Sequence, residues 1–536
     1  MAKCRLQRIC GREADENTGD GLCILHSVNL DKDRRAFDEA LQLHRRELGS
    51  NFSYFVFPAY ADFGEGNFSD ATFRGATFTD EANFMGASFD GITDFRQVTF
   101  GEELVSFRGA KLTDVSFEGV NFPCCPDFAN TQFEGEANFS LAKFAKGVNL
   151  HSGEFDGTAL FRDTVFGGRS LFTEVTFKGQ AILFSAIFTE RPDFLRARFG
   201  KGADFQWARF HRGARFAKAQ FGELADFGLS NFTGDADFGS AEFTQGADFH
   251  GATFSEGGNF IDTKFAGPSN FSSAEFLGRM FFASNDKDVP IFSGVEIDFR
   301  SVYINPLDVL IIHDADLRRC KFQGTDLRKA AITGVRWSPI PFSETFCRHL
   351  CLCQRTGTRF CRLGVYDEIS PLSLEQTRSW SHIERQYREL KQNYEDRRDY
   401  ERAGDFHYGE KEARRNKENR DTPPGLRLWL TLYWLVSGYG ERYWRPLLWA
   451  LVLLLVSTYC YIQWDLLHLK VKGPFADRII HWWDAGLYSL RVMTLLKPSN
   501  FDPVLFWGHL IYVAQSLLGP LLLGLFALAL RQRLKR

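Results

Sequence analysis

From Phe205 the large apolar positions fall at Phe210, Phe216, Phe221, Phe227, Phe232, Phe238, Phe243, Phe249, Phe254, Phe260, Phe265, Phe271, Phe276 and Phe282, a strict alternation of five and six residues. Two residues before most of them stands a small side chain, as at Ala203, Ala208, Ala214, Ala219 and Ser230. The residue immediately before is often Asp or Asn, among them Asp204, Asp226, Asp237, Asp248, Asn259 and Asn270, and glycine is frequent between units. An amphipathic helix needs spacings of three and four, and a half-buried strand needs a longer alternation, so neither produces this period. A chain that turns a corner every five or six residues does produce it. One large and one small residue then point inward on each side, and Asp, Asn and Gly supply the corners. Four sides make a coil of about 22 residues, and residues 62 to 282 then stack about ten coils into a rod about 50 Å long at the ~4.8 Å spacing of strands. Near its end the pattern becomes uniform fives, through Leu317, Phe322, Leu327, Ile332 and Trp337.

The A(D/N)FxxAxF texture resembles that of pentapeptide-repeat proteins over roughly residues 61 to 337. The resemblance implies a β fold, a right-handed quadrilateral β-helix with the large and small residues stacked inside. Of the chain's 536 residues 55 are Phe, and 45 of those lie between Phe52 and Phe299, so the surplus is assigned to that core and not to an aromatic ligand box. Open coil ends need covering, because unpaired strand edges invite association.

A net charge of −3 gives no whole-chain attraction to nucleic acid, which is not an expected partner, so electrostatic function must be local. Residues 191 to 218, which include Arg198, Arg209 and Arg212, carry eight Lys or Arg and two acids, whereas 223 to 275 carry nine acids and one Lys. At 22-residue spacing Asp204, Asp226, Asp248 and Asn270 share a face. This charged surface is a candidate site for a protein partner. Some pentapeptide-repeat proteins imitate DNA with such a face, which adds a nucleic-acid enzyme as a weaker alternative.

Before the repeat stand Cys4, Cys10, Cys23 and His26, three thiols and an imidazole that suffice for a structural zinc ion, with no position left open for catalysis. Asp31 or Asp33 is expected to cap a helix with Phe37, Leu41 and Leu48 on one face and Gly49 at its end, covering the first coil. The region 1–60 is thus read as a metal-binding cap. After the repeat, 338–380 is a linker with a second cluster, Cys347, His349, Cys351, Cys353 and Cys361, of no diagnostic spacing. Eleven Cys, unevenly placed, suggest a reducing compartment.

Residues 381–425 balance eleven basic against eleven acidic side chains, and Ile383, Tyr387, Leu390 and Tyr394 form one apolar stripe. They read as a charged helical connector, broken at Gly404, and the string from Glu384 to Arg415 resembles the connector that joins such repeats to membrane segments in bacterial proteins. Within 426–536, residues 446–464 and 503–530 contain no charged side chain over 19 and 28 positions, enough for two membrane spans. Arg442 and Arg445 before the first, with Arg531, Arg533, Lys535 and Arg536 after the second, place both termini and the rod in the cytoplasm, at a bacterial inner membrane. Leu426 to Val436 reads as an interfacial helix. Between the spans, His481 to Leu496 reads as an apolar stretch too short to cross, either a re-entrant pore helix or a helix on the outer surface.

Span, short helix and span resemble the pore unit of two-transmembrane ion channels, which are tetramers. Thr494 is followed by Leu495, Leu496, Lys497 and Pro498, with no glycines for a potassium-type filter, and Lys497 in a pore would favour anions. Thr494, Lys497 and His509 are the pore candidates. LLGPLLLGLFALALR, Leu517 to Arg531, resembles the membrane tails of bacterial pentapeptide-repeat proteins. No phosphate loop, dinucleotide fingerprint or nucleophile elbow appears, and catalysis is not expected. The leading reading is a gated oligomeric pore with a solenoid sensor, and the alternative is a non-conducting membrane-tethered scaffold.

Overall fold

A computed structural model of the chain describes residues 3–6, 10–16, 19–341, 361–370, 378–417, 423–469, 480–496 and 501–534. Two units separate by their contacts, Met1–Ser338 with Val365–Ser370, and Pro339–Gly364 with Pro371–Arg536. Cys347, His349, Cys351, Cys353 and Lys497 lie outside the described residues.

The first unit is a parallel β-solenoid of about 13 turns. Arg209 lies opposite Asn231 on face one, Arg215 opposite Asp237 on face two, Gln220 opposite Glu242 on face three and Asp204 opposite Asp226 on face four. Each register is 22 residues, the coil expected from the spacing of the Phe residues. Most strands are two residues long because the chain must turn again at once. Inside, the rings form four columns: Phe205, Phe227, Phe249 and Phe271 stack at 4.8, 4.9 and 4.8 Å between centroids, within 10° of parallel. Leu112, Leu150 and Leu183 occupy column positions without becoming exposed.

The alternation of five and six comes from two kinds of corner. In the five-residue corners a tight turn closes with Ala208 N donating to Phe205 O at 3.1 Å and Ala219 N to Phe216 O at 3.0 Å. Its third residue is left-handed, at φ 59° for Trp207 and Lys218 and 56° for Leu229, a geometry that usually selects Gly or Asn. The six-residue corners are wider and bring backbones together, so that a Cβ on Gly157 would sit 2.1 Å from the Gly135 carbonyl oxygen. In the last coils consecutive corners close tightly, with Cys320 N on Leu317 O, Thr325 N on Phe322 O and Ala330 N on Leu327 O. There the register shortens to 20, as in Ile312 opposite Ile332.

Both ends of the solenoid are covered. Helix α1 (Arg34–Glu47) is capped by Asp33, whose carboxylate accepts from Arg35 N and Ala36 N. It buries Phe37, Ala40 and His44, while Leu48, expected on the buried face, is half exposed. Leu41, four residues after Phe37, is half-buried at the edge of that face, and Leu48 lies past the last helical residue as the C-cap, where the helical spacing no longer directs it. At the far end, a turn at Tyr366–Glu368 presents Asp367, whose carboxylate accepts from Phe322 N at 2.9 Å.

The second unit contains six described helices: α2 (Trp380–Asp396), α3 (Tyr400–Asn416), α4 (Pro424–Ser437), α5 (Trp444–Gln463), α6 (Trp482–Met493) and α7 (Leu505–Leu534). In α2 the stripe Ile383, Tyr387, Leu390 and Tyr394 is buried, as its spacing predicts. Gly404 does not break the connector. It lies buried inside α3, and the break falls before Asp399, the cap of α3, where Arg398 takes φ 62°.

Candidate functional site

The cap places Cys4, Cys10, Cys23 and His26 together, all buried, with their ligand atoms within 4.8 Å of one another. Cys10 Sγ and Cys23 Sγ are 3.7 Å apart, Cys23 Sγ and His26 Nδ1 3.1 Å, and Cys4 Sγ and His26 Nδ1 3.9 Å. Tetrahedral zinc with ~2.3 Å bonds to sulfur needs such edges, about 3.8 Å between sulfurs. The set therefore fits a tetrahedral ion and fills all its positions. His26 Nε2 lies 3.2 Å from Ser53 O, which can only accept. The ring proton thus sits on Nε2 and leaves Nδ1 as the ligand, the arrangement that fixes tautomer and orientation at metal sites. Burial raises the Cys23 thiol to about 12 and lowers His26 to about 4. Burial thus opposes ionisation of Cys23, so that ionisation and the binding of a metal would be linked events. The centre also fastens the first coil, because Val56 N donates to Leu25 O at 2.8 Å and His26 packs edge-on against Phe55.

On the solenoid, Asp204, Asp226, Asp248 and Asn270 stack in register on face four, and Asp298 follows. They are half-buried and tied into the corners: Asp204 accepts from Gln206 N, Asp226 from Gly228 N and Asp248 from His250 N. Burial, with Asp226 nearby, raises the carboxyls of Asp204 and Asp248 above the usual range. The ladder is therefore built first as corner chemistry. The basic residues are not gathered: Arg198 is on face three, Arg209 on face one opposite it, and Arg212 sits at a corner paired with Glu190 at 3.2 Å. Beside the ladder, the corner carries Trp207 and Leu229, 52% and 42% exposed, which the count of inward Phe residues did not single out.

In the second unit the connector is bound to α4 through a buried arginine. Arg362, on strand Cys361–Gly364, has a fully buried side chain that pairs with Glu412 at 3.2 Å and donates to the Tyr387 hydroxyl at 2.9 Å. Its guanidinium also faces the Tyr408 ring, and Tyr408 OH accepts from Trp434 Nε1 of α4 at 2.7 Å. Sequence spacing gave no sign of this cluster.

Helices α5 and α7 supply two segments long and apolar enough to cross a membrane, Trp444–Gln463 and Leu505–Arg531. Only 22% of each apolar window is buried, whereas a core helix of a soluble protein would be mostly covered. Between them α6 runs antiparallel to α5 and parallel to α7. Tyr488 stacks edge-on with Tyr461, and Met493 clusters with Ala450 and Leu522. The helix ends where a Cβ on Gly519, near the middle of α7, would lie 2.7 Å from Met493 Cα. A polar chain joins the three helices: Tyr461 OH donates to Gln515 Oε1 at 3.1 Å, and Gln515 Nε2 donates to Ser489 Oγ. Strand Leu467–Leu469 pairs with Phe501–Pro503 where α5 ends and α7 begins. Thr494 donates to Leu490 O of its own helix at 2.8 Å, and His509 is exposed in the first turns of α7. The segment read as apolar contains Asp484 and Arg491, and Arg491 is exposed on α6.

The family described as pentapeptide repeats (9 copies) matches residues 73–121, 107–154, 183–228 and 217–264, all within the solenoid. The solenoid is built of pentapeptide repeats, and the matched segments cover less than half of the chain. Comparison with curated proteins and with solved structures gives no match.

Proposed function

We propose that this is a membrane-anchored pentapeptide-repeat protein whose C-terminal helices assemble, as an oligomer, into a pore-type unit, with the solenoid as its sensing or binding part. One observation carries the reading: α6 descends beside α5 and stops against Gly519, halfway along α7. If α5 and α7 cross the bilayer, α6 is a re-entrant helix and Thr494 lies at the depth of a pore's narrow part. The segment lacks the glycines of a carbonyl filter, so side chains would set its selectivity. Arginines flanking the spans favour both termini on the cytoplasmic side. Native mass spectrometry of the full chain should give an oligomer, a tetramer by the channel likeness. Planar bilayers should show currents altered by Lys497→Glu. A monomer, or a folded oligomer without currents, refutes the pore.

The ligand set of the cap, three sulfurs and one nitrogen, favours zinc in a structural role. One equivalent of zinc per chain by elemental analysis, lost in Cys23→Ser together with thermal stability, is the expected result. No bound metal in the purified protein, or unchanged stability after chelation, counts against it.

A scaffold reading is favoured by Trp207 and Leu229 exposed beside Asp204 and Asp226, an aromatic and aliphatic corner next to an acidic rung. Cross-linked partners that persist unchanged after Trp207→Ala with Leu229→Ala would defeat it.

A further inference from the structure

We infer that helix α4 lies in the headgroup layer of the bilayer with phospholipid on its uncovered face, and so holds the connector against the membrane surface. The placement rests on the reading that α5 and α7 cross the bilayer and needs no pore. One face of α4 is packed: Leu426, Leu430 and Trp434 meet Tyr408 of α3 and Tyr439, and Ser437 is buried. Leu428, Trp429, Leu432, Tyr433 and Leu435 are exposed, Leu428 at 62% and Trp429 at 71%. At ~100° per residue the packed positions fill one arc of the helix and the exposed ones the other, which is about 200° wide. The wide arc carries no charged side chain, only the hydroxyls of Thr431 and Tyr433. An apolar face of that width marks a surface that a partner covers.

That partner is lipid, because the face is continuous with the uncovered side of α5. Trp434 O accepts from Arg445 Nη1 at 2.7 Å and Leu435 O from Trp449 Nε1 at 3.1 Å, so the last turn of α4 is level with the first two turns of α5. From there the exposed side chains run on through Leu448, Leu451 and Leu455. The level is a membrane boundary: Arg442 and Arg445 stand at it, and Tyr443 faces Phe526 of α7, five residues before Arg531. Exposed Trp464, at the other end of α5, is 20 residues from Trp444, about 30 Å and the thickness of the hydrocarbon. At 14 residues, ~21 Å, α4 is too short to be a further span. Trp429 and Tyr433 are the side chains that settle at headgroups, and an amphipathic helix there buries its apolar face at the boundary with the acyl chains. The opposite face grips the connector: Trp434 Nε1 donates to Tyr408 OH at 2.7 Å, and the Arg415 guanidinium of α3 lies 4.9 Å from the centre of the Trp434 ring. Helix α4 is thereby a plate between α3 and the bilayer.

The test uses the full chain in liposomes of phosphatidylethanolamine and phosphatidylglycerol that contain a phospholipid with a photoactivatable diazirine, placed either near the glycerol or at the end of an acyl chain. Peptide mass spectrometry maps the adducts. Residues 428–435 should be labelled, with a higher ratio of shallow to deep label than residues 451–456 of α5, and the exposed Glu395 of α2 should carry none. Leu428→Glu with Leu432→Glu should lose the label on 428–435 and keep that on α5, with unchanged circular dichroism, since both positions lie outside the packed face. If 428–435 stays unlabelled while α5 is labelled, or if the two segments show the same ratio, the placement of α4 is overturned and the spans stand. A disulfide between chains in Leu432→Cys without lipid label on α4 puts a second copy there and overturns it too. If folded protein shows no label on 451–456 either, the membrane reading itself fails. Should the double variant not fold, the labelling of the wild type alone decides.

Discussion

Replacing Phe227 tests how the solenoid is held together. Its ring is fully buried, stacked between Phe205 at 4.8 Å and Phe249 at 4.9 Å, and edge-on to Phe216 and Phe238 at 5.3 Å. Phe227→Ala removes a ring from six ring contacts, those with Phe221 and Phe232 included, and leaves a void that cannot collapse, because the strands above and below are held at ladder spacing by hydrogen bonds such as Phe227 N to Asp248 O at 2.7 Å. Large-to-small core changes of this kind cost about 3 to 5 kcal/mol, and a site that cannot relax belongs at the upper end. Phe227→Leu should cost under about 1.5 kcal/mol, since it nearly conserves volume and Leu183 already occupies the same column. The assay is pulse proteolysis of the full chain in detergent across a urea series. Cleavage inside the solenoid is the readout, because an array of nearest-neighbour coils need not unfold in one step. Equal midpoints for the Ala and Leu variants would show that the columns are not the source of stability and would refute the reasoning.

Gly157→Ala should destabilise the solenoid by at least about 2 kcal/mol by forcing backbone apart at Gly135, whereas Gly202→Ala, with nothing closer than 3.8 Å, should stay within about 0.5 kcal/mol; thermal melts of the two variants compare them directly. In the connector, burial pushes the Glu410 carboxyl up, but His407, Lys411, Arg388 and Lys391 hold it down at about 2. The folded value lies below the unfolded one, so this group's contribution, at most about 3 kcal/mol, is present above pH ~4.5 and lost as the pH falls toward 2. Glu410→Gln should remove that part of the acid sensitivity, and circular dichroism of wild type and variant between pH 5 and pH 2 would read it, with identical acid profiles counting against it.

The solenoid was legible because its core is one-dimensional: a Phe at most inward large positions, with Leu or Ile at the rest, counts out the faces, the 22-residue coil and the change to 20 after Leu317. What the count could not give is the conformation of the corners. Trp207, Lys218 and Leu229 adopt left-handed backbone without being Gly or Asn. They do so because the fold repeats one tight turn at every second corner, and neighbouring coils impose what local preference would refuse. The candidate metal ligands were legible as residue types, since three Cys and a His stand within 23 positions. Their convergence depends on Val56 pairing with Leu25 and on Ser53 accepting from His26, links between the cap and the first coil that no spacing rule contains.

Arg362 and Arg491 were hidden for a related reason. Each stands in a segment whose average character says something else: Arg362 in a Cys-rich linker, Arg491 in a helix read as apolar. Their meaning is set by what surrounds them. Arg362 is enclosed by Glu412, Tyr387 and Tyr408, so its charge is matched and its ring neighbours are covered; replacing one partner would leave a buried charge uncompensated, which costs several kcal/mol (~3 to 5) and would loosen α2, α3 and α4 together. Arg491 differs in being exposed, in the last turn of α6, where a cation offsets the helix dipole. A matched buried charge holds several elements together, whereas an exposed one contributes little to the fold. On this ground Arg362 belongs to the architecture of the connector.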